Sequence, residues 1–264
     1  MRKYIALFLI KIRNLLQYRL NFFLTLLSGI LPLFALFFLW KEIYSKHSII
    51  NGMSFNQIFT YYILAYLLST LLHSEISWVV SEEIRDGKIN SHVLKPIKYM
   101  WLHLSFHLSD KVVLITLILI IFSMMFIFLP GLLLPVFSIL NLLIFLISLF
   151  LASIMGFYFS FLLGLIAFWW EHTEGLFYFQ ALVLQLFSGS IIPLDWYPGQ
   201  LKYLLQFTPF SYMVYFPIKI YLGQVTTVNL AQHFVVLLMW ILIFHLICKL
   251  IWKKGIRIYR AIGG

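Results

Sequence analysis

The sequence predicts an all-α integral membrane protein. Six transmembrane helices are expected, with an N-terminal interfacial amphipathic helix and a short broken or re-entrant helical pair on the outer side before the last span. Three observations carry this expectation. Of 264 residues, 62% are hydrophobic and 11% charged, with mean hydropathy +0.97, which leaves too little charge to cover a soluble domain of this length. Apolar runs recur at the length a bilayer demands, about 20 residues of helix for its hydrocarbon core. The basic residues behind the net charge of +10 sit in clusters between those runs rather than along one polar face, a topology signal and not a nucleic-acid footprint.

The elements follow in order. Within residues 4–20, Ile5, Phe8, Leu9, Ile12, Leu15 and Leu16 share one helical face, while Arg2, Lys3, Arg13, Asn14 and Gln17 lie opposite and Arg19 breaks the pattern. A basic amphipathic helix ahead of a first span lies in the cytoplasmic interface; the plainer alternative is an extension of span one. Its start resembles a signal peptide, but Lys11 and Arg13 interrupt the apolar stretch and no small-residue cleavage site follows, so it is expected to be retained. Spans are expected at Asn21–Trp40, Phe55 to about Val80, Val112–Leu129, Val136–Trp170, Gly175–Leu194 and Leu230–Trp252.

The charge-free stretch Val136–Trp170 is too long for one upright helix and too short for two. Basic residues decide the matter. With six spans one side holds Arg2, Lys3, Lys11, Arg13, Arg19, then Arg85, Lys88, Lys95, Lys98, Lys111, then Lys249, Lys253, Lys254, Arg257 and Arg260. The other side keeps Lys41, Lys46, Lys202 and Lys219. The positive-inside rule therefore puts both termini in the cytoplasm, and span four is expected to be extended or bent, at Gly156 or Gly164. The chain reads as a single transmembrane domain, 1–264, comprising an interfacial helix 1–20, a long cytoplasmic loop 81–111, an outer region 188–223 and a cytoplasmic tail 253–264.

Missing motifs narrow the chemistry. No GxxxxGK[ST] phosphate loop, HExxH helix or GxSxG elbow occurs, so the chain carries no recognisable catalytic or nucleotide-binding apparatus. One cysteine, Cys248, excludes an internal disulfide and a multi-cysteine zinc site. His103, His107 and Asp110 have helical spacing for metal ligands but no supporting shell, and no metal or catalytic site is expected. His73 and Glu75 fall within span two, where ionisable groups are functional candidates by default. Glu171 and Glu174 mark the turn between spans four and five, with Glu174 facing the positive end of the next helix.

Two passages stand out. Ser81-Glu82-Glu83-Ile84-Arg85-Asp86-Gly87-Lys88 reads as an exposed helix ended by a turn at Gly87, and Ile89, Val93 and Leu94 as an apolar patch on a second short helix stopped near Pro96. A solvated connector is the plain alternative. From 188 to 223, Pro193, Pro198, Pro209 and Pro217 exclude one continuous helix, yet the segment stays apolar and aromatic. Broken pieces of that kind sit at headgroup level or under other protein.

These passages resemble the ABC-2 type transporter permeases. Glu83-Ile84-Arg85-Asp86-Gly87-Lys88-Ile89 with Leu94-Lys95-Pro96-Ile97 looks like that family's charged pair, glycine and later leucine-basic-proline stop. Ser188-Gly189-Ser190-Ile191-Ile192-Pro193-Leu194, Trp196-Tyr197-Pro198 and Thr208-Pro209-Phe210-Ser211-Tyr212 are similar to its proline-broken region. Trp252-Lys253-Lys254-Gly255-Ile256-Arg257-Ile258-Tyr259, ending Gly263-Gly264, resembles the closing segment of one bacterial branch.

The resemblance implies a permease subunit of a bacterial ABC exporter in the inner (cytoplasmic) membrane. It implies pairing with a second permease, identical or a sister chain, and docking on a separate nucleotide-binding ATPase subunit that binds ATP and Mg. The coupling segment would comprise Glu82, Glu83, Arg85, Asp86, Gly87, Lys88, Leu94 and Pro96, and the outer re-entrant region Gly189, Pro193, Pro198, Pro209 and Tyr212. A nearly charge-free aromatic bundle suits an amphipathic or hydrophobic solute such as an antibiotic, toxin, peptide or lipid-like molecule. An ion-coupled secondary transporter or a non-catalytic membrane scaffold are the alternatives; midplane charges and internal repeats, which the former expects, are not evident.

Overall fold

The computed structural model describes residues 2–17, 24, 30–93, 96–128, 131, 133–134 and 138–259, and the chain is built almost wholly of helix. In chain order these are α1 (Arg2–Gln17), α2 (Ile30–Lys46), α3 (Phe55–Leu72), α4 (Ile76–Arg85), α5 (Ile89–Val93), α6 (Tyr99–Phe128), α7 (Ile139–Gly164), α8 (Glu174–Phe187), α9 (Gly199–Gln206), α10 (Tyr215–Tyr221) and α11 (Thr227–Ile258). Among the described residues four stretches are long and apolar enough to cross a membrane: Phe55–Arg85, Tyr99–Ile120, Ile139–Phe168 and Val228–Ile258. This is a multi-pass, all-α membrane protein. Helices also stand where spans one and five are expected, α2 with 17 described residues and α8 with 14.

Local signals set the boundaries. A two-residue hairpin, Ile49–Ile50 paired with Met53–Ser54, turns at Asn51 and Gly52, both with positive φ (47° and 78°), as a type I′ turn requires. Ser54 then caps α3: its hydroxyl accepts from Gln57 N, and Gln57 Oε1 accepts from Ser54 N at 2.8 Å, the reciprocal capping box. Ser138 Oγ likewise accepts from Asn141 N at the start of α7.

Several expectations are corrected. Span two is not one helix. It breaks at His73–Glu75 into α3 and α4, because Ser74 and the freed carbonyl of His73 find side-chain partners: Lys111 Nζ donates to His73 O, and Ser74 Oγ lies 3.5 Å from His107 Nδ1. Lys111 is accordingly no loop residue. It is 5% exposed, within α6. That helix starts at Tyr99, so the loop expected over 81–111 shrinks to the turn and short helix between Arg85 and Tyr99. The first-span helix runs on past Trp40 to Lys46, while residues 21–23 and 25–29, together with Arg19, lie outside the described residues.

The long fourth helix does change character at Gly164, where α7 passes into a tight 3-10 turn, Leu165–Phe168. A Cβ on Gly164 would sit 2.9 Å from Ser77 O and 2.8 Å from Val80 Cβ, so the absent side chain lets α7 press directly on α4. The core lies between α3, α7, α10 and α11, with Tyr61, Phe157, Phe161 and Tyr212 fully buried.

Candidate functional site

The helices gather the basic clusters at one end of the bundle. There α4 ends, α5 and α6 begin, α11 finishes, and α1 lies alongside α6, with Lys11 Nζ 3.9 Å from Asp110 Oδ1 and Tyr4 Oη accepting from Lys98 N at 3.2 Å. Lys41, Lys46, Lys202 and Lys219 belong to the opposite end, where Trp40 meets Trp196 edge-on at 5.4 Å.

The expected candidate segment occupies the basic end. Helix α4 stops because Asp86 N and Gly87 N turn back to the carbonyls of Glu82 and Ile84 at 2.8 and 3.3 Å, with Gly87 at φ +76°, a left-handed conformation that a side chain disfavours. Lys88 bridges Glu82 and Asp86, both at 2.9 Å, and these hydrogen-bonded carboxylates hold its ammonium above the usual lysine pKa. The three side chains are exposed at 54%, 56% and 39% for Lys88, Glu82 and Asp86. They form the outward charged surface.

The other members turn inward. Glu83 accepts from Tyr99 Oη at 2.7 Å, lies 3.2 Å from His103 Nε2 and 3.7 Å from His92 Nε2, and so ties α4 to α5 and α6. Arg85 Nη1 donates to Glu174 Oε1 at 2.8 Å, and Ser81 Oγ meets Thr173 Oγ1 at 2.7 Å, fixing α4 to the start of α8. Pro96 is exposed, its carbonyl accepting from Lys3 Nζ. Leu94 and Lys95 lie outside the described residues. The expected apolar patch is corrected at Ile89, which is 0% exposed and packed into the protein's own core: a short helix this close to the bundle gains by burying that side chain there.

Aromatic packing closes the end. Tyr99 stacks on Trp252 at 4.8 Å and 16°. Phe168 packs on Gly255 and, at 5.8 Å, on Tyr259. The closing residues 260–264 lie outside the described set. Among the described residues no three His, Cys, Asp or Glu side chains are grouped to hold a metal ion; His103 turns to Glu83, and His107 Nε2 sits 3.1 Å from Ser153 Oγ.

At the opposite end the proline-rich segment folds into short pieces. Pro193 leads a 3-10 turn, Leu194–Trp196, Pro198 starts α9, and Pro209 opens the turns before α10. Gly189 has φ +85°, and a Cβ there would lie 2.9 Å from Tyr215 Cβ and from Tyr61 Oη; its carbonyl accepts from that Tyr61 hydroxyl at 2.5 Å. Tyr212 is fully buried, with Oη 3.0 Å from His233 Nδ1. One cluster escaped the sequence reading: Asp195 pairs with Lys202 at 2.9 Å and Lys219 at 2.8 Å. Burial pushes the Asp195 carboxyl up, but the two ammonium groups outweigh it and hold it below the ordinary value. The signal was present, since Asp195 is the sole acid between 188 and 223, and Lys202 and Lys219 are the sole lysines or arginines.

Spanning helices, a charged segment folded back on one end and a proline-broken segment at the other define a polytopic helical membrane protein. A family model described as ABC-2 family transporter protein matches residues 30–263. The chain belongs to the ABC-2 transporter family and is an ABC-2 type permease, a membrane component that is not itself the catalyst. No curated protein matches it.

Proposed function

We propose that this permease is the membrane subunit of an exporter in the bacterial inner membrane, crossing it six times with both termini in the cytoplasm. ATP and Mg are bound and used by a separate nucleotide-binding subunit, and a second permease, identical or a sister chain, completes the pathway. The solute is amphipathic or hydrophobic. Helix α1 lies in the cytoplasmic interface, with Ile5 and Leu9, 58% and 52% exposed, toward lipid. Residues 188–223 form the outer re-entrant region.

The observation that carries this reading is the placement of the Glu82–Pro96 segment. Its charged residues Glu82, Asp86 and Lys88 face outward, while Glu83, Arg85 and Ile89 anchor it to the helices above. A surface so held suits docking on a partner whose movement must reach the spans. Purification of the tagged protein from its native membrane in mild detergent, with mass spectrometry of its companions, tests the proposal. Recovery of a nucleotide-binding ATPase in about one copy per permease is expected. If the chain comes alone even after cross-linking, proton-coupled transport through His73 and Glu75 replaces this reading.

A further inference from the structure

A chamber of about 170 Å³ lies where the break of span two meets α7 and α8. Its walls are unlike the rest of the bundle. Ser69 of α3, Ser77 of α4 and Ser188 beyond α8 line it, and among the described residues their hydroxyls make no hydrogen bond to protein. Ser77 and Ser188 are each only 2% exposed. Gln180 of α8 reaches into the same wall, donating from Nε2 to Ser160 Oγ at 3.0 Å. Trp78, 39% exposed and edge-on to Phe177 at 4.9 Å, is an exposed residue of the same wall. Among the described residues no carboxylate, lysine or arginine lines the space, and His73 is the one ionisable wall residue.

These walls select a ligand by exclusion. An apolar group would strand hydroxyls that have no protein partner, a penalty of about 1–3 kcal/mol per group. A charged group would enter a low-dielectric site without a counter-ion. What remains is a neutral group with several hydroxyls and one flat apolar face to lay on Trp78. The volume is below the roughly 300 Å³ at which drug-sized pockets begin, so the chamber takes one ring-sized head group and leaves any apolar remainder outside. Its wall follows α8 from Phe177 to Ser188, about 16 Å at 1.5 Å per residue, about half of a hydrocarbon core of roughly 30 Å. It thus joins the span-two break to the proline-broken segment.

We propose that this chamber binds an uncharged, hydroxyl-rich head group the size of one sugar ring. The transported solute is then a neutral glycoside-like amphiphile, a conclusion that rests on the exporter reading, whereas the binding site itself does not.

The test uses the full chain in lipid nanodiscs and radiolabelled octyl β-glucoside below its micellar concentration, with empty nanodiscs as baseline. Saturable binding is expected, competed by unlabelled octyl β-glucoside but not by octyl sulfate or octanol. Ser77→Ala and Ser188→Ala each weaken it about tenfold, the order that one lost buried hydrogen bond gives. Because neither hydroxyl has a protein partner, both variants keep the wild-type elution volume and thermal midpoint. Trp78→Leu weakens binding without altering the competition pattern. Absence of a saturable component, equal competition by octyl sulfate or octanol, or wild-type affinity in both serine variants overturns the proposal. Co-purification separates the two readings. An ATPase partner without glucoside binding removes this site alone, and glucoside binding without any ATPase removes the exporter while the site stands.

Discussion

Phe168 rests on Gly255 so closely that a Cβ there would lie 2.2 Å from the ring's Cδ2. The glycine lets the last turns of α11 meet the 3-10 turn that follows α7. Gly255→Ala should therefore lower stability by about 1–3 kcal/mol, the ordinary penalty for overpacking. Phe168→Leu in the same chain should restore part of the loss. Thermal unfolding in detergent of the two single variants and the double variant measures the coupling; additive effects would remove the steric explanation.

Neighbouring glutamates should behave differently. Glu83 is bound by Tyr99 and His103, so Glu83→Lys should cost about 1–3 kcal/mol and disturb the basic end itself. The Glu82 carboxylate bonds to exposed Lys88 at the surface, and Glu82→Lys should change stability by no more than about 0.5 kcal/mol. In the reconstituted complex Glu82→Lys should nonetheless reduce permease-dependent stimulation of ATP hydrolysis. Normal stimulation with Glu82 and Asp86 both reversed would take the coupling role from this surface.

Arg85 and Glu174 are each about a third exposed and 2.8 Å apart, so solvent screening leaves their pairing a small contribution. Arg85→Glu should be partly rescued by Glu174→Arg. The rescue should shrink as salt rises, which a thermal-shift series from low to high ionic strength will show.

Asp195 supplies the pH dependence. Its folded-state pKa lies below the unfolded value, so its stabilisation is present at pH 7 and above the unfolded value near 4. It is lost as acidification passes downward through the folded pKa. Asp195→Asn leaves Lys202 and Lys219 without their carboxylate. The variant should be less stable by about 1–3 kcal/mol at pH 7 and should show a flatter acid limb in melting temperature against pH. An unchanged acid limb would mean the pairs contribute nothing.

Much of the architecture was legible because hydropathy and charge placement act over whole spans. The four helices long enough to cross, the turn at Gly87 and the bend at Gly164 all follow from residues that stand out singly or in runs. Other features depend on partners distant in sequence. Nothing near Ser74 announces that Lys111, read as a loop residue, will take up His73 O; that requires α6 to begin at Tyr99 and pass beside the break. Ile89 looks like one member of a surface patch until the short turn after Gly87 folds it inward. Asn51-Gly52 and the Asp195 trio were readable, one as a hairpin dipeptide and the other as a lone acid among two bases, but attention to the prolines and aromatic residues of the outer segment passed over both.

The contacts Ser81–Thr173 and Arg85–Glu174 make α4 and the start of α8 one lever arm. On the proposed docking reading, a displacement applied below Gly87 would travel along this arm to the place where the backbone hydrogen-bond ladder is interrupted, His73–Glu75. That interruption would then serve as the joint of the arm, with the chamber beside it.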